Sequence, residues 1–215
     1  MRFSNRDHAA NLLVERLRPL CKDKRPVVLG VPRGAVPMAK VIADGLSGEL
    51  DVVLVHKLSH PEQPELAIGA IDENGNALLS EWAADLNPGY LELEKNRQLA
   101  LLRERRAKYT PSRAPIEPHG RVVIVVDDGI ATGSTMIAAL RAVRAHEPQK
   151  LICAVAVASQ EAARAMLREC DDMVCLSIPA DFHAVGQFFD DFGQVTDEDV
   201  VEILTHEQPQ TPAVG

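Results

Sequence analysis

Two adjacent carboxylates, Asp127 and Asp128, stand between an apolar run and a loop of small and hydroxylated residues. The run, Val122-Val123-Ile124-Val125-Val126, is β-branched throughout and reads as a strand buried on both faces, expected over Arg121 to Val126. The carboxylates then fall at its C-terminal end, where open α/β sheets bind ligands. In the loop that follows, Gly129, Ala131 and Gly133 let the backbone approach an anion closely, and Thr132, Ser134 and Thr135 add hydroxyl donors. A helix then begins, with Met136, Ile137, Leu140 and Val143 on its apolar face, and its free N–H groups and positive dipole end point at the same spot. An amide-rich loop suits a phosphate dianion. Neighbouring carboxylates accept hydrogen bonds from a vicinal diol and help to hold a hydrated divalent cation. A phosphorylated ribose satisfies both demands at once.

The whole string, from the strand through Asp127-Asp128 to Thr132-Gly133-Ser134-Thr135, resembles the phosphoribosyl-diphosphate (PRPP) motif of the type I phosphoribosyltransferases. The resemblance implies a parallel core sheet with helices on both faces and a small hood. It also implies transfer of ribose 5-phosphate from PRPP to a small-molecule acceptor, a nucleobase or related nitrogen, with release of diphosphate and with Mg²⁺ as cofactor. By the same resemblance Asp127 and Asp128 face the ribose hydroxyls and the metal, while Gly129 and the stretch Ala131, Thr132, Gly133, Ser134, Thr135 wrap the 5′-phosphate. Gly30-Val31-Pro32-Arg33-Gly34 resembles the family's diphosphate loop, which would turn Arg33 and the Gly34 backbone toward the leaving group. Lys57 sits where the family often places a basic residue against diphosphate. The stretch Glu65 to Ala70 and the tail from Phe182 to Phe192 resemble a bacterial branch of stand-alone phosphoribosyltransferase-like proteins, a likeness that does not identify the acceptor.

One residue bears on that acceptor. In 6-oxopurine members of the family the position matching Ala131 carries an Asp near the purine N7, and Ala131 has no titratable group. Hypoxanthine and guanine are therefore disfavoured, and no residue stands out as general acid or base. An enzyme is the first reading. A regulator that keeps the fold and senses PRPP or a nucleotide without turnover is the alternative.

The surrounding elements are those of one α/β domain over residues 1–206, with 207–215 expected to be a disordered tail. Asp7 to Leu20 reads as an amphipathic helix, Pro26 to Gly30 as a strand, Val36 to Leu46 as a helix and Asp51 to Val55 as a second strand. Short apolar runs around Asn74-Gly75 predict a hairpin excursion at about 58–80. His56 and His60, at a spacing seen in zinc sites, fall in a Pro-containing loop rather than on a helix. A long polar helix from Pro88 to about Lys108 is expected to form a mobile lid with its flanks, about 83–119. Nine of the seventeen residues from Glu92 to Lys108 are charged, and the basic ones cluster at its end. Helices over Ser134 to Ala145 and Gln160 to Glu169 alternate with strands over Lys150 to Val157 and Met173 to Ser177. A last helix is capped by Thr196 or Asp197. The phenylalanines Phe188, Phe189 and Phe192 read as core more readily than as a stacking platform.

Composition narrows the class. The chain is 46% hydrophobic but only 4% aromatic, which suits an aliphatic core between a parallel sheet and its helices. A net charge of −8, from 31 acidic and 23 basic residues, argues against a nucleic-acid footprint. No apolar run is long enough to span a bilayer, and the N-terminus lacks an apolar signal segment. Cys21, Cys153, Cys170 and Cys175 show no C-x-x-C spacing, as expected for reduced thiols in a cytoplasmic protein. The oligomeric state is left open, a homodimer being the form the fold often takes.

Overall fold

The computed structural model describes residues 1–22 and 24–205, so the expected tail at 207–215 lies outside the described residues. Helix α1 (Arg6–Leu17) starts where the Asn5 side chain accepts from the His8 amide at 2.9 Å, satisfying one of the free first-turn donors. It runs into a short 3₁₀ turn, Arg18–Cys21. Strand β1 (Val27–Gly30), helix α2 (Val36–Gly45) and strand β2 (Glu49–Val52) form the first crossover unit. Strands β6 (Val122–Ile130), β7 (Lys150–Ala158) and β8 (Asp172–Ser177) form the second half, linked by α4 (Ser134–Arg144) and α5 (Gln160–Met166). These five strands make one sheet, ordered β2-β1-β6-β7-β8, and every pairing in it is parallel. The chain moves outward from β1 in one direction and from β6 in the other. Because parallel crossovers are right-handed, that reversal sends α2 to one face and α4 and α5 to the opposite face. Val28, Ile42, Ile124, Leu140 and Ile152, all fully buried, fill the layers between.

A second, three-stranded antiparallel sheet sits beside this core: β3 (Val55–Ser59), β4 (Ala67–Asp72) and β5 (Ala77–Leu79). Its tight turn is the expected one. Gly75 takes the left-handed conformation at φ 90°, and the Asp72 carboxylate accepts from the amides of Asn74 and Asn76 at 2.9 and 2.8 Å. The excursion begins earlier than expected, because Val55 pairs with Asp72 and so opens β3 rather than closing β2.

Helix α3 (Pro88–Tyr109) matches the long polar helix, and the structure ties its last turns to the core. Arg106 donates to Asp51 at 2.8 Å, to the Val52 carbonyl at 3.0 Å and to Glu73. Asp51 is only 1% exposed, and it also accepts from Arg113 and from the Ile116 amide at 2.9 Å. A buried carboxylate with this many charge-assisted donors has no unmet hydrogen-bond demand. Tyr109, 1% exposed, donates to Asp197 at 2.6 Å, at the start of helix α6 (Asp197–Thr205). The basic residues at this end therefore differ in use: Arg106 and Lys108 are in ion pairs, while Arg105 faces outward.

No helix among the described residues is long and apolar enough to cross a membrane. All four cysteines are free thiols, Cys21 and Cys153 buried and Cys170 and Cys175 half-buried. Burial pushes Cys175 up to about 11.

Candidate active site

The two carboxylates lie inside β6 rather than beyond it. The expected strand stopped at Val126, where the apolar run stops, but the ladder with β7 continues through Asp127↔Val155 to Ile130↔Ala158. Backbone pairing is indifferent to the polarity of alternate side chains, so the partner strand carries the ladder past the acids. Asp127 accepts from the Asp128 amide at 2.9 Å. Burial, reinforced by the Asp128 charge, pushes Asp127 well above the usual carboxylate range. Burial also raises Asp128, against the opposing pull of Arg6.

Arg6 is the residue that the sequence reading missed. Its Nε and Nη2 approach Asp128 Oδ2 at 3.0 and 2.9 Å, both side chains being 13% exposed. Its Nη1 donates to the Gly193 carbonyl at 2.7 Å, and its guanidinium carbon stands 3.9 Å from the centre of the Phe192 ring. The N-terminal residues and the segment 188–193 build this arrangement. Phe3 donates to the Phe188 carbonyl, and Asp190 and Asp191 donate back to the carbonyls of Phe3 and Ser4, all at 2.8–2.9 Å. Phe3, Phe188 and Phe189 are buried, as expected for core, while Phe192 stays 37% exposed beneath Arg6. An arginine in the first turn of an amphipathic helix carries no local signal, and its partner is 122 residues away.

The loop after β1 meets the same acids. The Val31 amide donates to the Val126 carbonyl at 3.0 Å, which fixes Pro32-Arg33-Gly34 beside β6, and the Pro32–Arg33 peptide is cis. A Cβ built on Gly34 would stand 2.5 Å from Asp128 Oδ2, so only glycine fits there without displacing the carboxylate. Arg33 is exposed, with Asp197 the carboxylate nearest to it at 3.8 Å.

After β6, Gly133 takes φ 83° and caps α4, a left-handed position that suits glycine. Ala131 is exposed, and its carbonyl accepts from Ser159 Oγ at 2.7 Å. Thr132, Ser134 and Thr135 are exposed, with 3.4 Å between the hydroxyls of Thr132 and Ser134. Ser134 and Thr135 line a cleft of 460 Å³ together with Pro32, Lys57, His56 and Arg105. Lys57 and His56 are on β3, not in the loop expected for them, because the excursion pairs as a strand from Val55 onward. Lys57 is exposed and lies 3.5 Å from Glu65.

The acids, the Arg33-Gly34 loop and the Thr132–Thr135 loop thus converge at the C-terminal ends of β1 and β6. These are the neighbouring strands between which the strand order reverses, the place where open α/β sheets leave a ligand crevice. A phosphoribosyl transferase domain model matches residues 5–192. The chain belongs to this family. Two Mycobacterium tuberculosis proteins, each named "Putative phosphoribosyl transferase", are 40% identical over 205 residues, 94% of this chain. The chain spans 46% of the length of those curated relatives. The crystal structure of TT1426 from Thermus thermophilus is 45% identical and superposes with a TM-score of 0.89, covering 97% of this chain and 100% of that one. The phosphoribosyl transferase fold here is therefore the five-stranded parallel core with the antiparallel sheet as an added hood.

Proposed function

We propose that the protein binds PRPP with Mg²⁺ at this crevice and transfers its ribose 5-phosphate to a nitrogen acceptor, releasing diphosphate. The observation that carries this reading is the approach of Gly34 to Asp128, which brings a diphosphate-type loop against a ribose-type carboxylate beside a phosphate-type helix start. Breaking the C1–O bond develops positive charge on the ribose and negative charge on the diphosphate. Arg33, Lys57 and the loop amides stabilise the leaving group electrostatically, while Asp127 and Asp128 hold the ribose hydroxyls in line for attack. Among the described residues no three His, Cys, Asp or Glu side chains gather as a metal cage. That donor set fits a cation which takes most of its oxygens from water and the diphosphate and one or two from Asp127 and Asp128. Bound in this way, Mg²⁺ would supply further charge stabilisation to the leaving group.

Asp128 must exchange Arg6 for the ribose hydroxyls when PRPP enters. The released guanidinium stays beside Gly34, next to the diphosphate. Helix α3 acts as the lid in this reading. Its first turns are held over β3 by Tyr90, which donates to the Ser59 carbonyl at 2.6 Å, and its last turns by Arg106, so the helix covers the crevice and excludes water from the activated ribose.

Calorimetric titration with PRPP and Mg²⁺ tests the proposal. Asp127→Asn and Asp128→Asn are expected to weaken binding roughly ten- to a hundredfold, the effect of losing a charge-assisted hydrogen bond. Absence of binding by the folded wild type would overturn it. Diphosphate release with adenine, hypoxanthine, guanine, uracil and orotate then separates enzyme from sensor. Ala131 offers no acid beside a purine N7, and Glu94, on the lid, is buried and engaged by Gln98. Adenine or a pyrimidine is accordingly expected to outperform hypoxanthine and guanine. Efficient 6-oxopurine turnover would show that another group manages that proton.

A further inference from the structure

The charged residues at the end of α3 are sorted by partner. Arg106 pairs with Asp51 and Glu73, and Lys108 with Asp197 and Glu198. Arg105 stands between them, exposed, with no carboxylate partner among the described residues, and it lines the 460 Å³ cleft that also holds Ser134 and Thr135. It is not loose. Its Nη1 donates to His56 Nε2 at 3.2 Å, and His56 Nδ1 donates to Gln98 Oε1 at 2.9 Å. Gln98 Nε2 donates in turn to Glu94 Oε1 at 2.9 Å, and Glu94 is 6% exposed. This chain fixes the imidazole as the neutral Nδ1–H form, since one ring nitrogen must donate to an amide oxygen and the other must accept from a guanidinium. Burial, with Arg105 acting in the same sense, keeps His56 below the usual imidazole range, so the accepting Nε2 persists at neutral pH.

The Arg105 guanidinium has further N–H donors beyond the one given to His56. No acidic side chain lines the cleft. A cation held in place by a half-buried relay that ends on the buried Glu94, on a wall shared with two hydroxyls at a helix start, fits a phosphoryl group. We propose that Arg105 is a phosphate-binding residue and His56 its positioning residue, so that α3 itself supplies a charged contact to the 5′-phosphate seated on the Ala131–Thr135 loop. This rests on the reading of the crevice as a PRPP site, and it adds a specificity element. A ribose without its phosphate would leave Arg105 with His56 alone.

Calorimetry with ribose 5-phosphate, PRPP and inorganic diphosphate tests it. Arg105→Gln is expected to weaken ribose 5-phosphate and PRPP roughly tenfold or more while diphosphate changes little. His56→Ala should weaken the same two ligands several-fold. His56→Gln, which again presents an acceptor toward Arg105, should recover most of that loss, as a merely structural histidine would not. Arg105 is exposed, so its substitution leaves the fold intact, and circular dichroism verifies this. Unchanged ribose 5-phosphate affinity in Arg105→Gln, with the wild type binding PRPP, would overturn this inference alone. A wild type that binds neither ligand would overturn the PRPP reading and this inference with it.

Discussion

Asp127 illustrates a residue placed at a cost to the fold. Its folded pKa is raised, first by burial and then by Asp128. A carboxyl of this kind favours the folded state only while protonated, and that contribution is lost as pH rises from the unfolded pKa through the folded one. At neutral pH, above the unfolded carboxylate range, the wild type carries this cost. Asp127→Asn is thus expected to raise Tm near neutrality, with the gain vanishing below about pH 4, the unfolded carboxylate range. The same substitution should weaken PRPP binding, and a Tm that falls at neutral pH would refute the account. The pocket also divides residue by residue. Arg33→Ala and Lys57→Ala should weaken diphosphate more than ribose 5-phosphate, and Thr132→Val should do the reverse. Equal loss of both ligands in all three variants would show that the division is wrong.

Among the elements, the charge density of α3 predicts a loosely held lid, and the structure qualifies that physically. Leu102 and Tyr109 are buried, and Arg106 satisfies Asp51 and Glu73 at once. A charged helix can dock when its charges meet partners, which a count of charges does not reveal. Asp51→Ala would leave Arg106 and Arg113 short of their shared acceptor, both being mostly buried. Breaking a buried pair costs about 3–5 kcal/mol, so this variant should lose that much stability in denaturant titrations and expose α3 to protease. In the wild type, bound PRPP should slow cleavage between Arg97 and Arg105. Equal cleavage with and without ligand would favour a static helix.

Across the whole molecule, the site exists because two strands distant in sequence are neighbours. Gly34 follows β1, Asp128 lies in β6, and a Cβ at residue 34 would come within 2.5 Å of the carboxylate. Gly34→Ala therefore displaces either the loop or Asp128 and should weaken PRPP at least tenfold while the core sheet stays folded. Wild-type affinity in this variant would mean that the two loops do not share a ligand. The tail adds a second long-range link, since Phe192 and Gly193 reach Arg6 only because residues 188–191 pair with Phe3 and Ser4.

Much of this was legible in the linear chain. The run Val122–Val126, the acids after it and the Thr132–Thr135 loop are contiguous, and local patterning dictates a strand, a loop of small residues and a helix start. Asn74-Gly75 marked its hairpin for the same reason, because turn chemistry is local. The tertiary structure alone decided how far β6 runs, since its last pairs depend on β7. It also decided that Lys57 and His56 belong to a strand, that Arg6 covers Asp128, and that Arg105 is the basic residue of α3 left facing the cleft. Each of these rests on a contact between residues far apart in the chain, and a side chain's partner across space leaves no periodicity in its own neighbourhood. The sequence set the chemistry of the loops, and the packing set which charges remain free to use it.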